Sequence, residues 1–191
     1  LIIDQYADYL VCQFLSAGAE YWKHIIVALL NERVPCKGIY ERSDTSSREK
    51  EGLPLRTGIL SGSAPPDLVE INDGRHRFLV DIPFGHKTGW YLDQRQNHFF
   101  VVQHLRDKKV LDCFCYTGGF SIAALASGAA MVTGIDASAA ILGLAQQNMD
   151  LNQIDGSRFI PEEGNVSQLL RHYRDAGRQF DAIILDPPKF I

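Results

Sequence analysis

From Val110 onward the chain repeats one arrangement, a short apolar run closed by an acidic or amide residue. Val110-Leu111-Asp112 leads into Cys113-Phe114-Cys115-Tyr116-Thr117-Gly118-Gly119-Phe120-Ser121. Met131-Val132-Thr133-Gly134-Ile135 closes on Asp136, Ser157-Arg158-Phe159-Ile160 leads to Asn165, and Ala182-Ile183-Ile184-Leu185 closes on Asp186-Pro187-Pro188-Lys189. Helical segments lie between these runs. Phe120 to Ser127 is stopped by Gly128, Ser138 can cap a helix running to about Leu151, and Asn165 can cap another over 166–176 that Gly177 ends. Apolar strands alternating with helices of this length predict a parallel, doubly wound α/β sheet. In such a sheet ligands sit outside the carboxyl ends of the strands, where these polar residues fall.

The preceding part reads differently. Tyr9 to Leu15 is expected as a strand, Ala19 to Arg33 as one helix with its apolar stripe at Trp22, Ile25, Ile26, Leu29 and Leu30, and Gly38 to Tyr40 as a short strand. Residues 68–74 and 77–82 read as a hairpin turning at Asp73-Gly74. Glu41 to Pro66, rich in Ser, Gly, Pro and charge, is expected as a long connection, functional or disordered. Leu92 to Leu105 is expected to be helical, with Asp93 at its cap and Gln96 as the reciprocal partner. The division is a small α+β domain over 1–85 and a nucleotide-binding-like domain over 86–191.

Charge excludes a bulk attraction to nucleic acid. Residues 1–90 carry 10 basic and 12 acidic side chains, residues 91–191 carry 9 and 11, and the net charge is −4. The basic groups Arg42, Arg48, Lys50 and Arg56, and Arg75, Arg77 and Lys87, are expected to be solvated surface. The longest aliphatic run, Ile25 to Leu30, is far too short for a membrane span. The 4 cysteines lack metal-ligand spacing, so no metal is expected and reduced thiols in the cytoplasm are.

The strand ends carry the chemistry. Gly118-Gly119 opens a helix after the first strand, where glycine allows close approach of a ligand to the backbone and free N–H groups are available. Asp136 stands 17 residues after Gly119, where a carboxylate accepts ribose hydroxyls. The dinucleotide fingerprint G-x-G-x-x-G is absent, and Asp112 would repel a pyrophosphate, which argues against NAD or FAD. It suits a ligand bearing an ammonium or sulfonium. Asp186-Pro187-Pro188-Lys189 forms a stiff exit whose carbonyls face the cleft.

Asp112 to Ser121, Asp136, and Asp186 to Phe190 resemble the motifs of class I S-adenosylmethionine-dependent methyltransferases, whose sheet is Rossmann-like. Leu15 to Glu20, Ile39 to Asp44, Arg48 to Leu53, His86 to Arg95 and Leu111 to Phe120 are more narrowly similar to a bacterial family of 23S ribosomal RNA large-subunit methyltransferases that make 5-methylcytosine. The resemblance implies S-adenosylmethionine as cofactor. It implies Asp136 on the ribose and Asn165 near the adenine amino group, with Asp112, Phe114, Tyr116, Thr117 and Gly118 around the methionine moiety. Tyr91, Gln94 and Arg95 would close the site, and Asp186, Pro187, Pro188 and Lys189 would face the target base. It further implies ribosomal RNA as partner, an RNA-binding domain before Leu1, and a chain shortened at both ends, with only the first half of the catalytic sheet and the nucleophilic cysteine beyond Ile191. The alternatives from the residues are an amino-group methyltransferase and a non-catalytic RNA-binding module.

Overall fold

The computed structural model describes residues 1–188 and divides the chain into two compact units, residues 1–71 with 79–92, and residues 72–78 with the chain from Asp93 onward. In the first unit, β1 (Ile2–Tyr6), which the sequence pattern does not announce, pairs antiparallel with β2 (Tyr9–Gln13), the strand expected over Tyr9 to Leu15. Two short helices follow, α1 (Ala17–Tyr21) and α2 (Lys23–Arg33), in place of the single helix expected. Ser16 caps the first by accepting from Ala19 N at 3.3 Å, and Trp22 interrupts the ladder. The expected stripe is split. Ile26, Val27 and Leu30 pack on Leu10, Cys12, Phe14 and Ile39, whereas Trp22, Ile25 and Leu29 remain exposed.

The residues expected as a long irregular connection form ordered structure. β3 (Gly38–Ser43) pairs parallel with β2, α3 (Ser46–Lys50) follows, and β4 (Arg56–Gly62) pairs antiparallel with β3. Two arginines expected on the surface make this possible. Arg48 is fully buried, donating to the carbonyls of Phe14 and Pro54 and pairing with Glu20 at 2.8 Å. Arg42 is also buried and donates to the carbonyls of Ile82 and Gly85. Burying a guanidinium is costly where its N–H groups go unmatched, and here backbone carbonyls take Nε and Nη1 of Arg48 and both terminal nitrogens of Arg42.

β5 (Val69–Asn72) and β6 (Arg77–Val80) pair at the anticipated hairpin. Its tip is an Asx turn, with Asn72 Oδ1 accepting from Gly74 N and Asp73 Oδ1 accepting from Arg75 N and His76 N.

In the second unit α4 (Arg95–Val101) begins later than expected, with Gln94 at its N-cap and no side-chain cap bond, because residues 92–94 form a 3-10 turn instead. β7 (Lys109–Cys113), α5 (Gly119–Ala126), β8 (Met131–Asp136), α6 (Ala139–Leu151), β9 (Phe159–Glu163), α7 (Val166–Asp175) and β10 (Ala182–Leu185) then alternate. The caps fall where the residue types put them: Ser138 accepts from Ile141 N, Asn165 from Gln168 N. The four strands are parallel in the order β10-β7-β8-β9. Successive residues of a strand face opposite sides of the sheet. Leu111 and Cys113 pack with Val166 and Tyr173 of α7, while Asp112, between them, meets Ser121 of α5. Helices thus cover both faces, as a doubly wound sheet requires.

Candidate active site

Register places the strand ends at one edge. Leu185 stands beside Cys113, and Cys113 beside Ile135. Asp186, the turn after Cys113, and Asp136 are therefore neighbours along the carboxyl edge of β10, β7 and β8. The turn is unusual in its backbone. Phe114, Tyr116 and Gly118 have φ of 62°, 49° and 84°. A non-glycine residue with positive φ is uncommon, and two in three residues persist only where surrounding bonds hold them. Those bonds are present. Cys115 N donates to Ile135 O at 2.9 Å, Gly118 N to Cys115 O at 2.9 Å, and Tyr116 N to Asp136 Oδ2 at 3.2 Å. From α6, buried Asn148 donates to Thr117 O at 3.1 Å.

Asp136 has a second bond, from Ser138 N to Oδ1 at 3.1 Å, so one carboxylate fixes both the turn and the start of α6. Asp112 is buried. Ser121 Oγ donates to its Oδ2 at 2.6 Å, while Oδ1 is buried without a hydrogen bond. Burial, reinforced by the nearby Asp186 and Asp136 charges, pushes its carboxyl up to about 7. Thr117 Oγ1 is likewise buried without a partner. Two such groups flanking a strained turn are what a polar or cationic ligand would satisfy.

Asp186 accepts from Gln94 Nε2 at 3.2 and 3.1 Å. Asn97 Nδ2 donates to Gln94 Oε1 at 2.6 Å and so orients that amide. Burial, then the charge of Asp93, raises the Asp186 carboxyl above its usual range. Pro187 and Pro188 follow, exposed, and Lys189 lies outside the described residues. Arg95 is exposed at the start of α4, and Tyr91 belongs to the first unit, edge-on to His86 at 6.4 Å. Asn165 is exposed, its side-chain oxygen engaged in capping α7.

Four residues of this site were not singled out from the sequence: Ser121, Asn97, Asn148 and His98. His98 corrects the reading of Gly119. A Cβ there would lie 2.7 Å from His98 Cε1, so the space that glycine leaves is filled by this buried ring and not by a ligand. Burial also depresses the His98 imidazolium, to about 4. Gly118 is the N-cap of α5 with φ of 84°, and a Cβ there would lie 3.3 Å from Ala145 Cβ of α6. Among the described residues no three His, Cys, Asp or Glu side chains gather to hold a metal ion, and no helix is long and apolar enough to cross a membrane.

A family model described as S-adenosylmethionine-dependent methyltransferase matches residues 56–191. The ribosomal RNA large subunit methyltransferase I of Tolumonas auensis is 49% identical over 192 residues, which take in 100% of this chain and 48% of that protein. The chain thus spans about half the length of the curated relatives it matches. Among solved structures, a Streptococcus mutans protein described as a SAM-dependent methyltransferase aligns with a TM-score of 0.85 at 26% identity, over 97% of this chain and 48% of that one. A second, described as a methyltransferase complexed with SAH, also gives 0.85 at 26% identity, over 99% of this chain and 48% of that one.

Proposed function

This chain belongs to the S-adenosylmethionine-dependent methyltransferase family, and on that premise we propose that the protein containing it methylates 23S ribosomal RNA at C5 of a cytosine. One observation carries the cofactor assignment: Asp112, with a buried and unbonded Oδ1, stands between Asp186 and Asp136 beside a turn held in left-handed backbone. The residues fit the group. In this reading bound S-adenosylmethionine supplies a methyl group activated by a sulfonium. Asp112 faces the positive methionine moiety, and a cation beside it draws the carboxyl back toward its charged form. Phe114, Tyr116, Thr117 and Gly118 line that moiety, Asp136 accepts the ribose hydroxyls, and Asn165 lies near the adenine. Gln94 and Arg95 close the site, Gln94 holding Asp186 in place. Asp186, Pro187 and Pro188 face the target base. A ribosomal RNA substrate would put the enzyme in the cytoplasm.

Asp136→Ala is expected to weaken S-adenosylmethionine binding by about 1–3 kcal/mol, since ribose hydroxyls lose a charged acceptor. The Tyr116 and Ser138 amides lose the same anchor. Calorimetry on the full-length protein checks it, and an unchanged affinity would remove Asp136 from the ribose site.

Methylation at C5 needs a thiolate to add to C6 of the base, so that C5 becomes nucleophilic toward the methyl group. The thiols at the sheet edge are unsuited. Burial, then Asp112, pushes Cys113 up to about 11, and burial with Asp112 and Asp136 raises Cys115 further. Burial pushes Cys12 in the first unit up to about 12. Cys113→Ala and Cys115→Ala in the full-length protein are therefore expected to retain methyl transfer, and residues 1–191 alone to transfer none. Mass spectrometry of nucleosides from treated ribosomal RNA decides both points. 5-Methylcytidine formed by the 1–191 polypeptide, and lost in either variant, would put the nucleophile at the sheet edge. An N-methylated nucleoside from the full-length protein would replace the C5 assignment.

A further inference from the structure

Phe84 is 87% exposed, so its ring contributes almost nothing to the core of the first unit. The backbone beneath it is nevertheless tightly held. Phe84 N donates to Asp81 Oδ1 at 2.8 Å, and Gly85 N to Asp81 O at 2.9 Å, closing a turn over Ile82 and Pro83. From β3, the buried Arg42 donates to Ile82 O at 2.5 Å and to Gly85 O at 2.9 Å, carbonyls that bracket Phe84. Arg42 is itself held by Asp44 at 3.3 Å. Gln13 Nε2 ties Arg42 O, at 2.9 Å, to Lys87 O, at 3.3 Å. Burying a guanidinium is costly unless its donors are matched, and this one fixes the two peptides on either side of an exposed ring. Such fixing removes the entropy that a mobile side-chain anchor would lose on meeting a partner.

We propose that Phe84 is a preorganised platform on which an unpaired base of the RNA substrate stacks. The inference rests on the functional reading above, whose substrate is RNA. Aromatic faces stack on bases of any sequence, and basic groups beside them follow the phosphates. His86 and Lys87 stand two and three residues after Phe84, the first exposed and the second half-buried. An apolar protein anchor would instead be ringed by further apolar side chains, whereas here a half-buried Pro83 precedes Phe84 and glycine, histidine and lysine follow it.

The test is filter binding of the full-length protein to unmodified 23S ribosomal RNA and to a mixed-sequence single-stranded oligoribonucleotide. Phe84→Ala is expected to weaken binding on the order of tenfold, the lower part of what loss of one stacked base removes. Phe84→Trp should keep wild-type affinity, and Phe84→Leu should fall with alanine, since it keeps apolar surface but no stacking face. Thermal unfolding should be unchanged in all three, because the ring is outside the core. Affinity unchanged in Phe84→Ala overturns the proposal, and so does wild-type affinity in Phe84→Leu, which would point to an apolar contact with a protein. In either case, continued methylation of ribosomal RNA leaves the functional reading standing. A wild-type protein that neither binds nor methylates ribosomal RNA overturns both.

Discussion

Gly118→Val is expected to reduce S-adenosylmethionine affinity by about thirtyfold to several hundredfold, through a cost of about 2–4 kcal/mol at the turn. Two effects add. The backbone at Gly118 has φ of 84°, a region where a β-branched residue is a genuine outlier. The new Cβ would also lie 3.3 Å from Ala145 Cβ and 3.5 Å from Met149 Cε on α6, with the γ-methyls still to be placed. The turn cannot relax freely, because Thr117 O is tied to Asn148 and Tyr116 N to Asp136. Strain at Gly118 therefore reaches Asp136 and the start of α6 together. Calorimetry with the cofactor and a thermal melt without it separate lost binding from lost stability. Cofactor affinity within twofold of wild type would show that the left-handed turn is dispensable. Gly119→Ala is a useful contrast, since its Cβ strikes the His98 ring while its backbone is helical and unstrained.

The second unit was largely legible because its information is local. Apolar runs ending in polar residues mark parallel strands, Ser138 and Asn165 announce their helices, and the candidate site is the one picked by the rule that ligands collect at strand carboxyl ends. The pairing of Asp112 with Ser121 was not visible in the same way. It depends on which face of β7 meets α5, and spacing alone does not say so. His98 was missed for a similar reason, since its contact with Gly119 joins residues from separate elements.

The first unit was read less well, and its errors share one physical cause. Residues 41–66 were expected as a loose connection because Arg, Glu, Ser and Gly are usually solvated. Whether an arginine is surface or core depends on the acceptors available to it, and those of Arg48 lie at Phe14, Pro54 and Glu20. With Nε and Nη1 of that guanidinium held by these acceptors, α3 has a fixed base, and β4 returns to pair with β3. The split between α1 and α2 follows the same logic. The expected stripe is apolar throughout, but the sheet buries only the face bearing Ile26, Val27 and Leu30.

A polypeptide of residues 1–191 is expected to self-associate through β10. That strand is the edge of the parallel sheet among the described residues, beyond β7 in the order β10-β7-β8-β9. Its sequence, Ala182-Ile183-Ile184-Leu185, is apolar at every position, the composition of a parallel strand covered on both faces. Only one face is covered. Ile184, in register with Asp112, is buried, whereas Ile183 and Leu185, in register with Leu111 and Cys113, are each 60% exposed. Natural sheets protect such an edge with charge, proline or a bulge, and within β10 there is none of these. Its free backbone groups and two aliphatic side chains therefore form a template for another strand. Size-exclusion chromatography with light scattering should report dimers or larger species, growing with concentration. Ile183→Lys should return the polypeptide to monomer, because a charge on that face opposes both pairing and apolar contact. Association that survives this substitution would locate it on another surface. A monomer at high concentration without the substitution would show that the edge is already protected.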